Sequence, residues 1–207
     1  MKIICFSDIH GSEADLDLPE CDILIFCGDF HIPDTDALQY TNRWFAKQKA
    51  TYKIFVPGNH DTFLEKYDNE IIQTWFSNVI YLNNSGCEIE GLKFWGSAFS
   101  PEFNNWAFMY QRCSKEAKDI WKKIPKNLDF LITHCPPYQI LDKNFYNEHC
   151  GCEVLQREIF KKKPKYHLFG HIHHEYGQQK IDDTQYINCS VLNEQYQLTR
   201  KPIILEI

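Results

Sequence analysis

Asp8, His10, Asp29, Asn59, His134, His171 and His173 are the residues whose types and spacing point most directly to chemistry. They lie in five short pieces: Asp8-Ile9-His10, Gly28-Asp29, Gly58-Asn59-His60-Asp61, His134 and Gly170-His171-Ile172-His173. Asp and His bind first-row divalent ions through carboxylate oxygen and imidazole nitrogen, and Asn59 adds a neutral carbonyl. A carboxylate has two oxygens and can bridge two ions. Asp29 is the natural bridge, because the glycine before it lets the backbone approach a crowded centre. No thiol is needed, so the pattern is not a cysteine-type structural zinc site. Two ions about 3.5–4 Å apart clamp the attacking and leaving oxygens of an in-line displacement at phosphorus.

Each piece follows a run of apolar and β-branched residues: 2–6, 23–27, 53–56, 130–133 and 166–169. Such runs read as buried strands. Groups at strand ends sit on loops held by a rigid scaffold, where function collects. Apolar spacing predicts helices over 36–49, 70–76, 114–123 and 153–163, the last two stopped before Pro125 and by Pro164. Further strands are expected at 79–82, 87–90, 92–96, 185–190 and 202–206, with a hairpin around Glu90-Gly91. Strands with helices before and after them suggest an α/β chain of two packed sheets with helices outside.

The pieces SDIH, CGDF, PGNHD, ITHCPP and FGHIHH, in this order, resemble the calcineurin-like metallophosphoesterase family. The resemblance runs from residue 5 to about residue 190, nearly the whole chain. It implies a four-layer αββα sandwich of two mixed sheets flanked by helices, as one domain over 1–207. It implies two divalent ions, Mn²⁺ first and Fe, Zn or Ni also compatible with His, Asp and Asn ligands. Asp8, His10, Asp29 and His173 would hold one ion, and Asp29, Asn59, His134 and His171 the other. His60 would stand unliganded beside the leaving group, with Asp61 orienting its imidazole. A metal-bridging hydroxide would attack phosphorus, so no seryl or cysteinyl nucleophile is called for.

The second half resembles one subgroup, the small metallophosphoesterase-domain proteins of the animal brain type. The residues are FWGSAFSPEFNNWAF (94–108), ITHCPPYQILD (132–142), CGCEVL (150–155), FGHIHHEYG (169–177) and YINCSV (186–191). This subgroup implies a phosphodiesterase on small substrates, nucleotides among them. The GDxVDRG element of serine/threonine phosphatases is absent, since Asp29 is followed by Phe30-His31-Ile32-Pro33. The alternatives are a phosphomonoesterase, a nuclease or a non-catalytic scaffold. A scaffold would be expected to have lost ligands or His60, and none is missing.

Specificity is expected from segment 94–110, which is rich in aromatic residues. Trp106 and Phe108 are its candidates for stacking on a base or aryl group, with core packing as the competing reading. Phe94 and Trp95 read as packing. His31, two residues past Asp29, is within reach of the site. His149, His167 and His174 read as packing or surface residues.

Composition narrows the classes further. The 207 residues are 43% hydrophobic, enough for a folded domain with a substantial core. No apolar stretch approaches a membrane-spanning length. The first residues, MKIICFSDIH, lack the long apolar region and cleavage site of a signal peptide. Nine scattered cysteines without paired spacing read as free thiols in a reducing, cytoplasmic compartment. The net charge of −6 makes nucleic acid an unlikely partner. The one cationic run, Lys161-Lys162-Lys163-Pro164-Lys165, reads as a solvated helix end. A small phosphoester is the expected partner; oligomeric state is not readable from the sequence.

Overall fold

Every side chain from Ile3 to Phe6 is fully buried, so this strand needs apolar cover on both faces. The computed structural model describes residues 1–207 and supplies that cover. In chain order the elements are β1 (Lys2–Phe6), β2 (Cys21–Cys27), α1 (Thr35–Lys47), β3 (Ala50–Val56), α2 (Asn69–Trp75), β4 (Ile80–Tyr81), β5 (Ser85–Ile89) and β6 (Leu92–Ser97). Then come β7 (Ser100–Pro101), β8 (Met109–Tyr110), α3 (Lys115–Lys122), β9 (Phe130–Thr133), α4 (Glu153–Lys162), β10 (Tyr166–Phe169), β11 (Gly177–Ile181), β12 (Thr184–Asn188) and β13 (Ile203–Glu206).

One sheet has the order β13-β1-β2-β3-β4, and the other β11-β12-β10-β9-β6-β5. In the first, β1 to β4 run parallel and β13 is antiparallel to β1. In the second, β12, β10, β9 and β6 run parallel between antiparallel edges. The period-2 alternation of β1 sorts its side chains into two cores. Ile3 and Cys5 join Phe130, Ile132 and Leu168 between the sheets. Ile4 and Phe6 join Leu38, Phe45, Ile72 and Phe76 beneath α1 and α2. On the far side, Trp95, Leu131 and Phe169 pack against Trp121, Leu155 and Ile159 of α3 and α4. The result is the expected four-layer αββα sandwich.

Local signals place the helices. The Asp34 carboxylate caps α1 by accepting from the Ala37 N–H at 2.9 Å, and Ser114 caps α3 through the Ala117 N–H at 3.0 Å. Helix α4 ends at Lys163 in the left-handed region, φ 51°, just before Pro164. The Glu90-Gly91 hairpin forms, with Ile89 opposite Leu92. Strand β11 was not expected: its sequence GQQKI is mostly exposed and carries no apolar alternation. Strands β1, β9 and β10 have the expected bounds, whereas β3 starts three residues earlier, at Ala50.

This topology positions the site. Strands β1, β2 and β3 run parallel in one sheet, β9 and β10 in the other. The two sheets are sewn together at the same edge. A parallel bridge pairs Ser7 with Ser190, and the Ser7 N–H donates to the Cys189 carbonyl at 3.0 Å. The loops after all five strands therefore open into one cleft at the carboxyl ends, where ligands bind in α/β sheets.

Candidate metal centre

The chain turns sharply at these strand ends. Asp8, His10, Asp29 and His171 hold φ of 55°, 42°, 65° and 72°, the left-handed region that non-glycine residues rarely adopt. Gly28, at φ 104°, is required for a second reason: a Cβ there would be driven into the His134 ring.

Three groups of side chains converge: Asp8, His10 and His173; His10, Asp29 and His60; and Asp29, His134 and His171. Within each, the donor atoms lie within 4.8 Å of one another. Asp29 belongs to two of the groups. Its Oδ2 is 3.3 Å from His134 Nε2, 3.6 Å from His10 Nε2 and 4.0 Å from His60 Nε2. Its Oδ1 accepts from the His60 backbone N–H at 2.8 Å. Asn59 joins through Oδ1, 2.9 Å from His134 Nε2. Every residue expected as a ligand is thus gathered in one place.

The surroundings fix which ring atoms face inward. His134 Nδ1–H donates to the Cys27 carbonyl at 3.1 Å, and His173 Nδ1–H donates to the Asn193 carbonyl at 3.0 Å. Both rings therefore present Nε2 to the centre. Arg200 holds the His173 loop by donating to the carbonyls of His173 and Leu192. The Asp8 carboxylate accepts from the hydroxyls of Ser7 at 2.5 Å and Ser190 at 2.7 Å, and from the His171 N–H at 3.0 Å.

The donor set fits cations. His134 Nε2 faces three electron-rich atoms: Asp29 Oδ2, Asn59 Oδ1 and, at 3.2 Å, His171 Nδ1. His10 Nε2 is buried with no hydrogen-bond partner. Converging lone pairs in a dry site require positive charge among them. In the metal-free chain, protons take that place. Burial pushes His134 down, but the charge of Asp29 and its hydrogen bond prevail and lift it to about 9. Burial pushes His171 down to about 3 and His10 to about 4, so these two are neutral ligands in waiting. Burial alone would raise the Asp8 and Asp29 carboxyls, yet His173 and His134 hold them well below the carboxylate range.

Two expectations are corrected. Asp61 does not orient the His60 ring. Its buried carboxylate accepts from the backbone N–H groups of Gly58 at 2.8 Å, His31 at 2.9 Å and Asp29 at 3.2 Å, so it ties the β2 and β3 loops together. Burial and the neighbouring Asp29 charge push this carboxyl up to about 7. The His60 ring instead packs on Trp106, ring centroids 4.0 Å apart. Phe108 does not face the cleft. It is buried against Phe99 in the core beneath α1, and its N–H donates to Glu65 at 2.6 Å.

Trp106 does line the cleft, an opening of about 640 Å³ that would admit a small organic phosphoester. Sequence reasoning missed two further aromatic walls. Phe103 lies edge-on to His171 at 5.1 Å, and Tyr196 edge-on to His10 at 5.0 Å. Phe103 belonged to a segment already singled out. Tyr196 gave no signal, since it follows β12 in an ordinary polar stretch. His31 lies 6.4 Å from His60, ring to ring, and reaches the site mainly through its backbone. His167 is buried and bonded to Thr133, and His174 pairs with Glu194 at the surface. His149, expected to be inert, lines the cleft.

The model of the calcineurin-like phosphoesterases matches residues 1–175. The chain belongs to that family. A UPF0046 protein of Caenorhabditis elegans is 32% identical, the alignment covering 100% of this chain and 60% of the relative. Human metallophosphoesterase domain-containing protein 1 is 30% identical, covering 100% of this chain and 71% of the relative. Relatives bearing that name agree with the subgroup expected from the second half. The chain thus spans only 60% of the nematode protein's length. A phosphopantetheinyl hydrolase from Mycobacterium tuberculosis superposes with a TM-score of 0.64 over 94% of this chain and 90% of its own, at 15% identity, and so shares the fold. No helix is long and apolar enough to cross a membrane.

Proposed function

We propose that the chain is a dimetal hydrolase of small phosphodiesters, with Mn²⁺ as the first candidate ion. The observation that carries this reading is Asp29, whose carboxylate belongs to two donor groups at once. Asp8, His10, Asp29 and His173 would hold one ion, and Asp29, Asn59, His134 and His171 the other. The ions, when bound, supply the Lewis acidity that neutralises charge developing on the phosphoryl oxygens.

The chain's own groups do the rest. Asp8 and Asp29 stay ionised and His171 and His10 neutral, the states in which they bind cations. His60 carries the proton to the leaving oxygen. Burial lowers its pKa, so near neutral pH the ring is mainly neutral and the minor charged form is the acid. Trp106 holds that ring in place by packing against it at a tilt of 39°. Phe103, Trp106 and Tyr196 wall the cleft and offer apolar surface to an organic substituent.

Diesters are favoured over monoesters because the cleft extends past the donor groups to Asn144 and His149, giving room for a second substituent. The nine free thiols, six of them buried, suit a reducing cytoplasm. The test is hydrolysis of bis(p-nitrophenyl) phosphate by Mn²⁺-loaded protein, with metal analysis. Wild type should bind two ions and turn over; His60→Ala should bind two and be slow. Full metal content without turnover on any ester of a monoester and diester panel would favour the scaffold alternative.

A further inference from the structure

Farther along the loop that follows β9 and carries His134, one wall of the cleft holds an acid–imidazole couple that the chemistry above leaves unused. Asp142 Oδ1 lies 2.6 Å from His149 Nδ1. The Asp142 side chain is 1% exposed and that of His149 30%. The other oxygen of Asp142 is already held, accepting from the N–H groups of Gln139 at 2.9 Å and Gly151 at 3.0 Å. A buried carboxylate anchored in this way fixes the tautomer of its partner. His149 keeps its hydrogen on Nδ1, leaving Nε2 as the free hydrogen-bonding atom of a ring that lines the cleft with His10 and His60.

The wall is built to be stiff. Residues 143 and 149 pair as the ends of a short hairpin. Asn144 closes it, its N–H donating to the Glu148 carbonyl at 3.0 Å and its Oδ1 accepting from the N–H groups of Tyr146 and Glu148. Arg112 pins the following residues by donating to the carbonyls of Cys150 at 3.0 Å and Gly151 at 2.7 Å. Gly151 has no room for a side chain, since a Cβ would strike the Pro137 carbonyl. A merely solvated histidine needs none of this support.

We propose that the Asp142–His149 couple is a recognition site for the part of the substrate not attached to the reacting oxygens, with His149 Nε2 hydrogen-bonded to a hydroxyl group. It rests on the phosphoester reading and names a feature of the ester: a hydroxylated organic substituent. His149 touches the substrate, and Asp142 is a positioning residue.

The experiment compares uridine 5′-monophosphate with methyl phosphate, binding to the Mn²⁺-loaded protein at equilibrium by calorimetry. Only the first carries hydroxyls that reach away from the phosphoryl group. His149→Ala should weaken the uridine ligand roughly three- to tenfold, the worth of one net hydrogen bond, and leave methyl phosphate unchanged. Asp142→Asn should act in the same direction. It should also abolish the low-field proton resonance of His149 Nδ1–H, which loss of packing at constant fold would not do. Should Asp142→Asn fail to fold, His149→Ala alone decides. Equal weakening of both ligands, or of neither, overturns the proposal while the phosphoester site stands. Binding of neither ligand to wild type overturns the phosphoester reading and this proposal with it.

Discussion

His134 and His167 are both fully buried, one just past the end of β9 and the other within β10, yet they titrate in opposite directions. Burial alone governs His167 and pushes it down to about 3. At His134 the same penalty is overcome by Asp29, and the pKa rises to about 9. The strand interior treats an imidazole as a neutral packing group bonded to a hydroxyl. The strand end, where carboxylates converge, treats it as a cation or as a ligand to one. The boundary between fold and function in this molecule runs between those two rings.

The strongest way to break the contrast is to remove the carboxylate. Asp29→Asn should lose metal and cut turnover more than about 100-fold, since changes merely to partners of ligands cost 10–100-fold. The His134 pKa should fall with it, measured by NMR on the metal-free variant. Two tightly bound ions and normal turnover would refute the bridge. Next in size, His60→Ala should retain metal and lose roughly 10²–10⁴-fold in turnover, least with good leaving groups. An equal loss for p-nitrophenyl and alkyl esters would contradict proton donation.

The aromatic segment offers a paired test. Phe108→Ala should lower stability by about 3–5 kcal/mol, seen in urea unfolding, and harm every substrate alike. Trp106→Ala should leave the melting temperature nearly unchanged and reduce kcat several-fold by freeing His60, with Trp106→Phe recovering most of it. If both variants behave alike, the division of this segment into core and cleft is wrong.

The smallest effect is on pH dependence. His167 has a folded pKa below its unfolded value near 6.5, so its contribution is intact above 6.5 and lost as pH falls toward 3. His134 has a raised folded pKa, so its contribution is intact below 6.5 and lost as pH rises through 9. Each slope is at most about 1.4 kcal/mol per pH unit. Mn²⁺ should abolish the alkaline slope, because the ion replaces the proton on His134. His167→Gln should reduce the acid limb, which His10 and His171 share, and leave the alkaline limb unchanged. Urea midpoints across pH 5–9, with and without Mn²⁺, check both.

The metal-facing residues were legible because each sits within five residues of a strand end, so local sequence nearly determines placement. The sandwich was legible for the same reason: β1 and β9 are apolar enough to demand cover on both faces. What escaped depends on contacts between distant segments. Asp61 follows His60 in sequence, but the turn points its carboxylate at the Gly58, Asp29 and His31 amides. Trp106 and Phe108 share one composition and part ways only through the bend of the loop between them. Asp142 and His149 are joined by a hairpin whose closure rests on Asn144, which no periodicity records. Strand β11 is polar and takes its form from pairing with β12.

The left-handed backbone at Asp8, His10, Asp29 and His171 carries one more consequence, in evolutionary drift. Each such residue costs on the order of 1–3 kcal/mol, a penalty glycine would escape. A lineage released from the need for this site would therefore gain thermal robustness by replacing His10, whose buried ring nitrogen has no hydrogen-bond partner, with glycine. Asp8 and Asp29 would stay, because their carboxylates satisfy buried hydroxyl and amide donors.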